Sequence, residues 1–451
     1  MADCFAEERP LTLDDLTAWL AKGNKPRSAF RIGAEHEKFV FRTGSNAPVP
    51  YEPQGIRALL EGLERFGWTG VYERDRVIAL ERAGGSVTLE PGGQFELSGA
   101  AMEDVHSTCV ETKVHLAEAK EVGAELGLGF LAMGFAPTWR REDVPVMPKG
   151  RYDIMRAYMP KVGKLGLDMM LRTCTVQTNL DFASEADMVR KFRTSLALQP
   201  IATALFANSP FVEGKPSGFV SARANVWTDT DPDRTGMLDF VFEDGFGFET
   251  YANYVADVPM YFVKRGGRYI DVAGRSFREF MAGRLEELPG QCPSIKDWAD
   301  HVTTVFPEVR LKQYLEMRGA DVGPLSMICA LQALWVGLLY DDAALTAAWD
   351  LCKTWTSADR EQLRRDAART GLKGAVAGRS IQEVAKEMIA ISAEGLKARA
   401  AVNGEGHDER IFLQPLFEIA DSGLTQADRL LEKYHGPWHG EVSHAFEEQR
   451  Y

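Results

Sequence analysis

Long apolar runs are missing from this chain of 451 residues. The longest, at 328–340 (ICALQALWVGLLY), falls well short of the ~20 residues that cross a bilayer and predicts a buried helix instead. Residues 1–9 are acidic and lack the basic-then-apolar order of a secretory signal, so a cytoplasmic protein without membrane contact is expected. Cysteine is sparse: Cys4, Cys109, Cys174, Cys292, Cys329 and Cys352, with no CxxC pair and no zinc-ligand spacing. That excludes a metal–thiolate centre, and in a reducing compartment each defaults to a free thiol. Positive charge is short too, with 52 Lys and Arg against 65 Asp and Glu and a net charge of −13. Nucleic-acid binding rests on neutralising phosphates, so DNA and RNA are excluded as partners. Small anionic substrates are not, because a few buried cations suffice for one site on an acidic protein. No GxxxxGK followed by Ser or Thr occurs, which rules out a P-loop. Gly127-Leu-Gly129-Phe-Leu-Ala132 fits GxGxxA but follows a helical pattern, so the dinucleotide reading lacks its strand. No repeat, low-complexity tract or Ser/Gly linker divides the chain. One large domain over 1–451 is expected, with a mostly helical part from about residue 320.

What is present is the composition of a globular protein, 45% hydrophobic and 26% charged. Periodicity predicts helices at 13–22, 54–66, 102–126 and 187–207, and strands at 30–41, on both sides of the Pro91-Gly92-Gly93 turn, and at 170–182, 219–227 and 311–318. Strands far apart in sequence with helices between them predict an α+β architecture with a mixed or antiparallel sheet.

Alternation within these strands gathers charge. In residues 33–41, Glu35 and Glu37 share one strand face about 7 Å apart, and carboxylates held close repel unless a cation sits between them. His36 lies on the other face, where packing or solvation is the expectation. Glu96 faces with Gln94 and Ser98, and Glu90, just before the turn, can join them. Glu316 and Arg318 share a face, as do Thr175, Gln177 and Asn179. Four such strands in one sheet give either a solvated face or a cavity lined by carboxylates that suits magnesium shared with nucleotide phosphates. Arg318 is placed to reach phosphate beside such a metal. Arg223, on a strand face with Asn225 and Trp227, is placed to clamp a carboxylate. Lys149, Arg151 and Lys161 fall in a Gly/Pro-containing stretch expected to be a mobile loop.

The blocks Ile32-Gly-Ala-Glu-His-Glu-Lys-Phe, Glu90-Pro-Gly-Gly-Gln-Phe-Glu-Leu-Ser-Gly, Met147-Pro-Lys-Gly-Arg-Tyr-Asp, Leu171-Arg-Thr-Cys-Thr-Val-Gln and Tyr314-Leu-Glu-Met-Arg-Gly-Ala-Asp resemble the plant and proteobacterial (type 2) glutamate–cysteine ligases. The similarity runs from about residue 11 to 438. It implies a glutamine synthetase-like catalytic fold, a curved, largely antiparallel sheet forming a funnel with helices outside. It also implies ATP as co-substrate, two or three Mg2+ ions, and ligation of cysteine to the γ-carboxylate of glutamate, the first step of glutathione synthesis. By motif position Glu35, Glu37, Glu96 and Glu316, with Glu90 and Gln177, are the implied metal ligands. Lys149, Arg151 and Lys161 are implied for nucleotide, and Arg172, Gln177 and Trp227 for substrate. Arg318 is implied for phosphate, and Arg223 for a substrate carboxylate or the transferring phosphoryl group. Met170, Tyr251 and Tyr254 are candidates for the cysteine pocket. Cys109 and Cys329 match a redox-sensitive disulfide linked to dimerisation in the plant enzymes, which implies a redox-dependent homodimer. Val272 and Glu287 stand where those enzymes have a second bridge. Two rivals remain open: a ligase of the same fold using another amine, and a catalytically silent binding protein, against which the retained acidic positions and Arg318 argue.

Overall fold

The computed structural model describes residues 9–451. Nine strands build one sheet: β1 (Ile32–Arg42), β2 (Thr69–Glu73), β3 (Arg76–Arg82), β4 (Gly85–Leu89), β5 (Phe95–Ser98), β6 (Leu128–Leu131), β7 (Thr175–Leu180), β8 (Val309–Leu311) and β9 (Leu315–Asp321). They run in the order β8-β9-β7-β1-β5-β4-β3-β2, with β6 also on β1. Every pairing in it is antiparallel. The long β1 makes this possible, pairing β5 and β7 through its first half and β6 through residues 39–42. The ends, β8 and β2, do not meet, so the sheet stays open.

Antiparallel register puts like faces side by side. On one face Val176, His36, Leu97, Val87 and Leu80 follow one another across five strands, and all are buried. Against this face pack the helices Val105–Leu126 and Leu325–Leu339. The second of these is the long apolar run, and nearly every residue in it is buried. No helix among the described residues is long and apolar enough to cross a membrane by itself. Lys38, also on this face, donates from Nζ to Phe95 O at 2.9 Å and lies 3.1 Å from His115 Nε2. His36 is packed, with neither ring nitrogen hydrogen-bonded, and burial holds it well below the usual histidine range.

Several local expectations change. Residues 170–182 divide into the helix Gly166–Arg172 and β7. Residues 219–227 hold a one-turn helix, Ala222–Val226, because Ser221 Oγ accepts from Ala224 N at 3.0 Å and caps it. The stretch carrying Lys149, Arg151 and Lys161 is no loop; the helix Gly150–Val162 fills it, with Pro160 in its last turn. The strand foreseen at 311–318 is a pair, β8 and β9, while β2, β3 and β6 had not been foreseen. The cysteines are not all free. Cys109 and Cys329 form a disulfide with Cα atoms 5.6 Å apart, tying together the two helices beneath the sheet. Cys292 is also disulfide-bonded. Cys174 and Cys352 are free and buried, and Cys4 lies outside the described residues.

Candidate active site

The other face of the sheet carries the polar side chains, aligned in three rungs. Arg310, Glu316, Asn179 and Gly33 form the first. Gln177, Glu35, Ser98 and Ser86 form the second, and Glu37, Glu96 and Thr88 the third. Above them opens a cavity of about 410 Å³ whose walls include Glu35, Glu37, Glu90, Glu96, Gln177, Lys149, Arg151, Arg310, Lys312 and Arg318. The hairpin Phe262–Arg265 and Arg268–Asp271 closes part of it with Phe262 and Tyr269.

The carboxylates fall into two electrostatic kinds. Glu35, Glu37 and Glu96 are held by neutral donors: Asn179 Nδ2 to Glu35 at 2.7 Å, Thr175 N to Glu37 at 3.0 Å and Thr88 Oγ1 to Glu96 at 2.6 Å. Burial first, and then the neighbouring carboxylates, push Glu35 up to about 7, Glu37 well above its usual range and Glu96 upward. Glu316 is the opposite case. Burial acts to raise it, but Arg310, Lys312 and Arg318 outweigh that and hold it below the usual range. Arg310 grips it through two nitrogens at 2.9 and 2.8 Å, Lys312 Nζ lies 3.2 Å away, and Arg318 Nη1 touches it too. Arg318 is also bonded to Gln177 Oε1 at 2.6 Å.

Crowded, uncompensated oxygen donors are what a hard cation such as magnesium takes, so Glu35, Glu37 and Glu96, with Glu90 on the same wall, fit that ion. The fit is one of chemistry, since no group of three His, Cys, Asp or Glu among the described residues already stands as a ligand set. Glu316 differs from these carboxylates: its charge is matched by three cations, and it anchors Arg318.

A smaller pocket of about 20 Å³ adjoins the cavity at Phe306 and Arg318, lined also by Arg223, Trp227, Thr203, Glu308 and Arg364. Buried Arg223 Nε and Trp227 Nε1 have no hydrogen-bond partner among the described residues. The other expected site residues lie elsewhere. Arg172 is bound to Asp168 and to Trp139 O and Glu213, both at 2.8 Å. Met170 and Tyr251 belong to the core, Tyr251 OH accepting from Leu311 N at 3.1 Å. Tyr254 packs on Phe240 and Tyr251, and Lys161 lines a separate surface hollow. Arg310, Lys312 and Arg364 had been missed. The first two carried a signal, basic residues spaced by two ahead of Glu316. Arg364 sits on the polar helix Ser357–Thr370, where nothing distinguishes it from a surface charge.

Fold and site together define a glutamine synthetase-like α+β ligase architecture, an open antiparallel sheet with carboxylates over one face. A glutamate–cysteine ligase structure from Francisella tularensis, in complex with AMP, shares this fold with a TM-score of 0.58 and 12% identity, covering 93% of this chain and 87% of that one. The family model for glutamate–cysteine ligase family 2 matches residues 31–448. The chloroplastic glutamate–cysteine ligase of Arabidopsis thaliana is 57% identical over 98% of this chain and 83% of its own length. That of Medicago truncatula is 55% identical over 100% and 87%. The chain belongs to glutamate–cysteine ligase family 2. The expectation of a cytoplasmic protein is overturned by the same comparisons, because these relatives, with those of Brassica juncea and Nicotiana tabacum, are named chloroplastic.

Proposed function

We propose that this protein uses ATP to join the amine of L-cysteine to the γ-carboxylate of L-glutamate, giving γ-glutamylcysteine, the first step of glutathione synthesis. The observation that carries the reading is one cavity holding uncompensated carboxylates beside Arg318, Lys149 and Arg151 in a chain of this family. A carboxylate is a poor electrophile. One γ-carboxylate oxygen attacks the terminal phosphorus of ATP, the bond to the bridging oxygen breaks, and ADP leaves an acyl phosphate behind. The cysteine amine then attacks the acyl carbon, inorganic phosphate departs and the amine loses a proton.

Arg318, fixed by Glu316 and Gln177, presents positive charge to the transferring phosphoryl group. Lys149, the N-cap residue of the helix Gly150–Val162, and Arg151, on its first turn, face the same cavity and meet the nucleotide phosphates. Arg223 and Trp227 offer donors to a substrate carboxylate in the adjoining pocket. Magnesium, two or three ions, would be held by Glu35, Glu37 and Glu96 with Glu90, and supplies neutralisation and orientation of the phosphates. A redox-dependent homodimer belongs to the same reading, with Cys109–Cys329 as its switch. An oligomeric state and activity indifferent to oxidation in wild type and Cys109→Ser alike would remove it.

The reaction is tested by incubating the protein with ATP, glutamate and a panel of amines, with and without magnesium, and weighing the products. ADP with γ-glutamylcysteine, only when magnesium is present, is the expected result. A different γ-glutamyl amide, or ligand binding without turnover, would overturn it.

A further inference from the structure

Arg223 stands on a helix of a single turn, too short to fix its own direction by helical hydrogen bonding. Groups outside the helix set its place. Ser221 Oγ accepts from Ala224 N at 3.0 Å and Ser209 Oγ from Arg223 N at 3.3 Å. Both hydroxyls donate in turn to one carboxylate: Ser209 Oγ lies 2.6 Å from Asp321 Oδ2 and Ser221 Oγ 2.9 Å from Asp321 Oδ1. The backbone N–H of Asn208 adds a third donor to Oδ2 at 2.9 Å. Asp321 ends β9 and is 1% exposed. Its neighbour Gly134 leaves it no slack, since a Cβ there would sit 2.3 Å from Asp321 Cγ. At its other end Arg223 donates from Nη2 to Arg318 O at 2.8 Å, while its Nε stays unpartnered beside the small pocket.

We propose that Asp321 is the positioning residue for Arg223, holding its one-turn helix through Ser209 and Ser221 so that the guanidinium meets substrate in the small pocket. A carboxylate suits the task in two ways. It accepts at both oxygens, where Asn offers one acceptor and two donors. Its charge also offsets the buried Arg223 guanidinium, which makes no ion pair within 4.0 Å among the described residues. The role rests on the reading of Arg223 as a clamp for a substrate carboxylate.

The test is steady-state kinetics on Arg223→Lys, Asp321→Asn and the double variant, with glutamate, cysteine and ATP varied in turn. Each single variant is expected to raise the KM for one and the same amino-acid substrate by about tenfold, with the KM for ATP within about twofold of wild type. The double variant is expected to be no worse than Arg223→Lys alone, since both act through one group. Wild-type behaviour of Asp321→Asn, or a double loss equal to the product of the single losses, overturns the role of Asp321 and leaves Arg223 in place. Unchanged amino-acid KM values in Arg223→Lys overturn the clamp reading and this role with it. Should Asp321→Asn fail to fold, Ser221→Ala cuts one of the two hydroxyl links and must raise the same KM; a wild-type value there overturns the proposal.

Discussion

Glu37 and Glu316 lie on the same face of the same sheet yet obey opposite electrostatics. Glu37 is buried beside Glu96 with no cation bonded to it, so its charge costs stability in the absence of metal. Glu316 is the counter-ion of Arg310, Lys312 and Arg318. Glu37→Gln therefore raises the melting temperature in EDTA while lowering activity about 100-fold or more. Glu316→Gln leaves Arg310, Lys312 and Arg318 without their counter-ion and lowers the melting temperature, for a stability loss on the order of the 3–5 kcal/mol seen when one partner of a buried pair is removed. Thermal melts of both variants in EDTA check this, and shifts of the same sign would remove the distinction. That both side chains share a face was legible from strand alternation alone. Which of them is neutralised was not, because Arg310 comes from β8, and its register with Glu316 is set by pairing.

At the scale of the element, capping and burial override the local pattern. Residues 219–227 alternate like a strand, but Ser221 caps a helical turn instead, and this places Arg223. The helix Ile295–Val302 shows burial at work. Its His301 stacks on Phe277 with centroids 4.9 Å apart, and its Nε2 lies 2.9 Å from Val255 O. Burial brings His301 down to about 3. The ring is thus neutral when folded but takes a proton on unfolding below its ordinary value near 6.5. Stability from this group is fully present above about pH 6.5 and is lost as pH falls toward 3. Between pH 7 and pH 5 the loss is on the order of 2 kcal/mol. Urea melts at the two pH values should show His301→Gln losing less than wild type by about that amount. His36 and His115, also pushed down by burial, add slope of the same sign, while the raised Glu35, Glu37 and Glu96 oppose it. The His301 share is therefore read as the difference between variant and wild type. An unchanged slope in the variant would mean that His301 titrates normally.

For the whole molecule, the Cys109–Cys329 bridge closes a sequence separation of 220 residues and joins the two helices under the sheet. Closing so long a loop is worth about 5 kcal/mol in the chain-entropy account. Reductant should lower the melting temperature of wild type by more than that of Cys109→Ser, in which only the Cys292 bridge still responds. Equal responses would show that the bridge does not hold the fold. From the same helix, Gln332 donates to Gln177 O at 3.0 Å, and Gln177 holds Arg318, so the bridge stands one helical turn from the support of the active site.

By itself the sequence determined the α+β class, the strands β1, β5 and β7, the carboxylates Glu35, Glu37, Glu96 and Glu316 on strand faces, and, through its ordered motif blocks, the family. Alternation is a property of the backbone and needs no partner to be read. Only the tertiary structure decided which faces met. It brought Glu37 opposite Glu96 and Gln177 opposite Glu35, and it carried Arg364 from a distant helix to the small pocket. It also withdrew Met170, Arg172 and Tyr251 into the interior and left Tyr254 half-buried against Phe240 and Tyr251. Those outcomes depend on pairing and packing between separate segments of the chain, and no local pattern encodes them.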